Sequence, residues 1–276
     1  MVTNEVLKLP AGHFLGQTLR TYEVSGLRLT ETFYPVGMKQ PEHAHELSLY
    51  CFVLAGSYVE TVGRRARTRR PLALAFHPPG SPHAETYGAP GRHLLVELNS
   101  RWMDCAREYQ AVLDRPVELQ EGAPTWLVTK LYNEFRRLDG VSPLAIEGVI
   151  LELMAETSRR AVGSAESRPP HWLGQVTDVL HERFAENLGL REVAATVNVH
   201  AAHLARVFRK FKGCTIGDYV RGLRVQHACR RISGSDDSLA DIALAAGFSD
   251  QSHLSRTFKQ HTGMLPSQFR NLLRRR

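Results

Sequence analysis

The sequence predicts a two-domain chain of mixed α and β structure: a strand-rich N-terminal half with flanking helices, then an all-helical C-terminal half. Three observations predict it. Short β-forming runs separated by Gly or Pro fill the first hundred residues, a helical hydrophobic period takes over after Arg101, and the last hundred residues contain an internal repeat. The length of 276 residues suits two domains at roughly 100–200 residues each.

Gly26–Phe33, Leu47–Leu54 and Leu94–Leu98 are rich in β-formers and short enough to be strands. Between the second and third lies an arginine run, Arg64-Arg-Ala-Arg-Thr-Arg-Arg70, expected as a solvated hairpin with an accessory DNA contact or an anionic-ligand site as its functional readings. From Pro124, Leu127, Leu131, Phe135 and Leu138 fall on one helical face. Ser142-Pro143 reads as the N-cap and first-turn proline of a further helix reaching about Arg160. Residues 163–171, small, polar and proline-bearing, read as a linker. The expected domains are therefore 1–162, with a helical cover or dimerisation segment over about 101–162, and 172–276.

The four cysteines, Cys51, Cys105, Cys214 and Cys229, form no C-x-x-C pair, which favours a reducing compartment. Met1–Pro10 lacks the basic start and apolar run of a signal peptide, and no stretch approaches the ~18 apolar residues of a membrane span. A cytoplasmic chain with no membrane partner is expected. Residues 1–170 carry 19 basic and 19 acidic side chains, whereas 171–276 carry 16 and 9. The whole formal excess of +7 thus sits in the C-terminal part, which points to a polyanion there.

That part repeats itself. His203-Leu-Ala-Arg-Val-Phe-Arg-Lys-Phe-Lys-Gly213 matches His253-Leu-Ser-Arg-Thr-Phe-Lys-Gln-His-Thr-Gly263, and Leu190-Arg-Glu-Val-Ala194 matches Leu239-Ala-Asp-Ile-Ala243. Each copy reads as helix, tight turn, helix. Val193, Val197, Val199, Leu204, Val207 and Phe208 supply the first core, and Ile242, Ala246, Phe248, Leu254 and Phe258 the second. Ala194 and Ala243 are small at the helix crossings. Asn198 and Gly247 stand at the turns, where a left-handed backbone is best tolerated. A basic second helix after such a turn makes a helix-turn-helix DNA reader.

The segment Ala240–Lys259, the following Gly263-Met-Leu-Pro-Ser-Gln-Phe-Arg270 and the connecting stretch Tyr219–Ile232 resemble the DNA-binding domain of the AraC/XylS family of transcription regulators. The resemblance implies two helix-turn-helix units joined by a long helix, with reading helices over about Ala201–Phe211 and Asp250–His261. It implies promoter DNA as partner, with Ala202, Ala205 and Arg206 facing bases in the first unit and Gln251, Ser252 and Arg256 in the second. Arg suits guanine and Gln adenine, while the alanines offer only apolar contact to thymine methyls. Arg209, Lys210, Lys212 and Lys259 suit the phosphate backbone, and His200 and His203 are further phosphate candidates.

In the N-terminal half, Gly37–Gly56, containing His43 and His45, and Pro78-Pro-Gly80-Ser-Pro-His83 resemble the two motifs of the cupin β-barrel. Strand alternation places His43 and His45 on one face, and the second motif brings His83 to join them. Three imidazoles hold a divalent metal, line an effector pocket, or pack structurally, and the sequence leaves all three open. Leu49 stands where metal-binding cupins carry Glu, and Tyr87 where the second motif often ends in Asn. The expected function is a regulator that senses an unknown small molecule through a cupin-like barrel, with a homodimer possible through the helices. The alternative is a cupin metalloenzyme with an appended DNA-binding domain.

Overall fold

The computed structural model of the protein describes residues 6–119, 123–163 and 169–274. It divides into two compact units, one formed by Met1–Gln120 with Leu127–Val162, the other by Glu121–Trp126 with Gly163–Arg276. Most of the expected linker, 164–168, lies outside the described residues.

The first unit is built on β1 (Leu7–Leu9), β2 (Gln17–Val24), β3 (Leu27–Tyr34), β4 (Lys39–His45), β5 (Ser48–Ala55), β6 (Tyr58–Val62), β7 (Arg65–Arg69), β8 (Leu74–His77), β9 (His83–Tyr87), β10 (Gly91–Leu98) and β11 (Val117–Leu119). They form a five-stranded sheet in the order β1-β4-β9-β6-β7 and a six-stranded sheet in the order β11-β8-β5-β10-β3-β2. The β5 run is buried at every position but its last, because both its faces are covered. Leu49, Cys51 and Val53 join interior clusters with Leu95, Tyr34, Tyr58 and Tyr87. On the opposite face the Tyr50 hydroxyl meets Thr157 at 2.8 Å.

That threonine belongs to α3 (Ser142–Gly163), which follows α1 (Ser100–Glu108) and α2 (Ala123–Arg137). Polar contacts anchor the other two helices on the six-stranded sheet. Trp102 donates to the Ser25 carbonyl at 2.9 Å, and Tyr132 donates to the buried Glu31 at 2.9 Å. Two sequence expectations need correction here. The segment 101–162 is not purely helical, since β11 pairs with β8 as an edge strand too short to show periodicity. Ser142 is already helical; Asp139 Oδ1 accepts the Val141 and Ser142 N–H groups instead.

The arginine run also departs from expectation. It forms the second arm of the β6–β7 hairpin, and six of its seven residues are exposed, but Arg69 is buried against Glu60.

The second unit consists of α4 (His171–Arg183), α5 (Leu190–Thr196), α6 (Ala201–Lys212), α7 (Ile216–Gly234), α8 (Leu239–Ala245), α9 (Gln251–Thr262) and α10 (Pro266–Arg274). Val193, Ala194, Leu204 and Phe208 are buried between α5, α6 and their neighbours. Ile242, Ala243, Ala246, Phe248, Leu254 and Phe258 are buried in the second copy. Val197, Val199 and Val207 are only partly buried, because they lie at the rim of a small core. The turns behave as the sequence requires: Asn198 has φ 52° and Gly247 φ 80°. A β-carbon on Gly247 would fall 2.3 Å from the Ala185 carbonyl oxygen, so that turn also needs glycine for space.

Candidate nucleic-acid interface and interior histidine cluster

Helix α6 starts at His200, whose Nδ1 accepts the Ala202 N–H at 3.3 Å, and stops at Gly213 in the left-handed region. Helix α9 starts at Asp250, which accepts the His253 N–H at 2.7 Å, and stops at Gly263 in the same conformation. Leu204 and Phe208, like Leu254 and Phe258, point one stripe of each helix into the core. The opposite stripe is left to solvent. On α6 it carries Ala202, Arg206, Arg209 and Lys210, with Ala205 half-buried beside them; on α9 it carries Gln251, Ser252, Arg256 and Lys259.

These cations are held differently from their neighbours. Arg183 pairs with Glu186 and Glu192, Arg221 with Asp218, and Arg231 with Asp237. Arg224 and Arg270 are committed to backbone carbonyls of Phe184, Glu186 and Asp237. Among the described residues no carboxylate makes a close ion pair with Arg206, Arg209, Lys210, Arg256 or Lys259, although the His253 N–H and, to a lesser degree, the Arg256 charge help hold the Asp250 carboxyl below its ordinary range. A cation left unpaired while acids are distributed to its neighbours is free to neutralise an external anion. Ala205, Arg206 and Arg209 also line an open cleft of about 670 Å³ with Arg221 and Arg224.

The histidines at the start of α6 have local work. His200 is the cap, and the His203 Nδ1 lies 3.1 Å from the Arg206 guanidinium with its ring 5.9 Å from that of Trp172. His253 sits equivalently, against Ser249 and the edge of Phe248. His203 and His253 therefore both have local structural contacts.

Inside the first unit, His43 and His83 face each other in register across β4 and β9. His45 completes the expected trio, with one ligand nitrogen of each lying within 4.8 Å of the others. His43 Nδ1 donates to the Pro41 carbonyl at 2.9 Å and His83 Nδ1 to the Ser81 carbonyl at 3.1 Å, when each carries its proton there. That tautomer leaves Nε2 as a lone pair. Burial, reinforced by the neighbouring imidazoles, pushes His45 down to about 3 and His83 to about 2, so the trio is neutral at pH 7. Neutral imidazoles with carbonyl-anchored Nδ1 are what a metal requires, and His45 Nδ1 is buried with no hydrogen-bond partner. Two nitrogens on one zinc at ~2.1 Å each are at most ~4.2 Å apart, so a small closure of the rings completes the fit.

Sequence reasoning missed two members of this site. His77, opposite Leu49 across β5 and β8, stacks on His83 at 4.5 Å. Glu85, two residues beyond His83 on the same face, is buried and bonded by the Tyr87 hydroxyl at 2.6 Å. Burial raises its carboxyl to about 8 against that bond. Both line the small interior cavity with the trio. The period-2 rule from His83 would have found Glu85; His77 depends on strand register and had no local signal.

A helix-turn-helix domain family matches residues 193–272. Over 68 residues the chain is 47% identical to the probable transcription factor PqrA of Proteus vulgaris, covering 25% of this chain and 56% of that one. Over 124 residues it is 30% identical to the melibiose operon regulatory protein of Escherichia coli (strain K12), covering 45% of this chain and 41% of the other. The chain thus spans about half the length of the curated relatives it matches. Among solved structures, ToxT from Vibrio cholerae aligns over 91% of this chain and 100% of its own, at 8% identity and a TM-score of 0.40.

Proposed function

We propose that the chain is a DNA-binding transcription regulator of the AraC/XylS type and that α6 and α9 each enter a major groove of promoter DNA, a reading supported by the helix-turn-helix match and the similarity to regulatory proteins. The observation that carries this is the pair of helices, each stopped by a left-handed glycine, whose outward cations make no salt bridge to a carboxylate among the described residues. Arg206 and Arg256 read guanine, Gln251 and Ser252 contact neighbouring bases, and Ala202 and Ala205 touch thymine methyls. Arg209, Lys210 and Lys259 neutralise phosphates. The two segments read lie about one turn, ~34 Å, apart on one face. The test is sequencing of genomic fragments retained by the purified protein near physiological salt. A recurring two-part site that disappears in Arg206→Ala/Arg256→Ala is the expected result; retention without any recurring site sinks it.

Residues 1–162 act as the sensor and 172–276 as the reader, with the strands forming a cupin-like barrel. The effector response and the dimer rest on particular features. Helix α3 exposes Leu144, Gly148, Leu151 and Val162, with Ala155 half-buried between the last two, a 4-3-4-7 spacing that makes one apolar seam. A second copy packed antiparallel on this seam sets Glu147 opposite Arg159, and sedimentation of Leu151→Glu as a monomer is the expected readout.

A divalent metal on His43, His45 and His83 is the second reading, favoured by the carbonyl-anchored imidazoles. The ion would supply a Lewis-acid centre or a structural clamp between the neighbouring strands β4 and β9. Metal analysis of protein purified without chelator tests it: stoichiometric metal lost in His43→Ala and His83→Ala supports it, and metal-free wild type removes it. No helix among the described residues is long and apolar enough to cross a membrane.

A further inference from the structure

The β6–β7 arginines and β11 enclose an open cleft of about 190 Å³, separate from the histidine cavity. We propose that this cleft binds a small carboxylate ligand, and that Glu118 occupies its arginine clamp until the ligand arrives. The proposal deepens the effector reading and rests on it only for the consequence of binding.

Glu118 is held by two arginines at once. Its Oε1 lies 2.6 Å from Arg69 Nη1, and its Oε2 is paired with Arg67. The remaining edge of the Arg69 guanidinium is already taken, since Nε and Nη2 both donate to Glu60 Oε2, at 2.9 and 2.5 Å. Glu60 is buried; burial works to raise its carboxyl, but His77 and Arg69 overcome that and keep it ionised. Glu60 therefore balances Arg69, and Glu118 is the second carboxylate on a clamp that Arg67 and the adjacent Arg65 make cationic.

The clamp geometry selects the ligand. Guanidinium edges presented by neighbouring side chains match a planar carboxylate. Apart from the His77 imidazole, the rest of the lining is apolar, from Val62, Ala75, Phe76, Pro116 and Val117. The volume is below the ~300–1,000 Å³ of sites for drug-sized molecules. A short carboxylate with a small apolar body meets all three conditions.

Release of Glu118 is local. It stands at the centre of β11, a three-residue edge strand joined to the sheet by pairing with β8 alone. Such a strand opens at low cost compared with the interior strands. The clamp also touches the interior, because Glu60 Oε1 lies 3.2 Å from His77 Nε2 and His77 stacks on His83. A ligand exchanging for Glu118 changes the partner of Arg69 without stripping charge from Glu60.

Titration calorimetry of the full chain with 3-methylbutanoate, and with 3-methylbutanamide as the uncharged match, tests this. The carboxylate should bind the wild type and the amide should not. Glu118→Gln, which keeps the side-chain shape but removes the competing charge, should tighten binding on the order of tenfold, which is about 1.4 kcal/mol. Arg67→Ala, at a half-exposed position, should weaken it by a similar factor. Equal binding of acid and amide, or no carboxylate binding to either wild type or Glu118→Gln, overturns the proposal. Loss of DNA retention in Arg67→Ala without carboxylate binding also overturns it, assigning the arginines to phosphate backbone. DNA retention by the wild-type preparation reads the regulator proposal independently, so the two fail separately.

Discussion

The two helix-turn-helix copies share a scaffold and differ in what they load onto it. Both bury a Leu and a Phe at equivalent positions, both cross at a small alanine, and both end their second helix in a left-handed glycine. The first copy presents two alanines and three cations, Arg206, Arg209 and Lys210. The second presents Gln251, Ser252, Arg256 and Lys259, with more hydrogen-bonding groups that tell one base from another. Under the DNA-reading proposal the difference implies a division of labour: the first copy would contribute chiefly affinity, with Arg206 as its base-reading arginine, and the second chiefly specificity.

The largest expected effect separates the two turns. Gly247→Ala places a β-carbon 2.3 Å from the Ala185 carbonyl in a left-handed backbone, and should destabilise the second unit by about 2–5 kcal/mol in denaturant melts. Asn198→Gly, at the matching turn, should change stability by less than about 1 kcal/mol. Equal effects would mean that the turns are interchangeable.

Next comes the reading chemistry. Arg256→Ala should cost roughly 1–3 kcal/mol and relax preference at one base position, measured by selection from a randomised site. Arg209→Ala should weaken binding to all sequences alike and lower the slope of log affinity against log salt by about 1. If Arg209→Ala instead altered the preferred site, the division between copies would be wrong.

The smallest effect concerns the caps. Asp250→Ala should cost about 1 kcal/mol of stability, since the carboxylate accepts a 2.7 Å bond at the helix start. His200→Ala should cost less, because the imidazole bond is 3.3 Å and carries no negative charge toward the helix dipole. Melts of the two variants side by side rank them.

The second unit was readable from sequence because its signals are local and doubled. A buried Phe208 predicts a buried Phe258 at the same offset, and Asn198 announces the turn that Gly247 repeats. The first unit was readable only in outline. His43 and His45 share a face by alternation, but His77 reaches them through the register of β5 and β8, which no local pattern encodes. Arg69 looked like one of a solvated run, and only the pairing of β6 with β7 sets it within reach of Glu60. Glu118 is farther still along the chain, on a strand of three residues. Charge partners contributed by distant strands are fixed by topology, and a sequence read in windows does not contain them.

Helix α7 is a single uninterrupted element of 19 residues. At 1.5 Å and 100° per residue it spans about 28 Å and fixes both the separation and the relative rotation of the units on either side. It works as a gauge block: one residue inserted in it would turn one reader about 100° away from the other while leaving every side chain intact. Under the DNA-reading proposal, the bases of a bound site would be free to vary at tolerant positions, while the interval between its two parts would be held by the length of one helix.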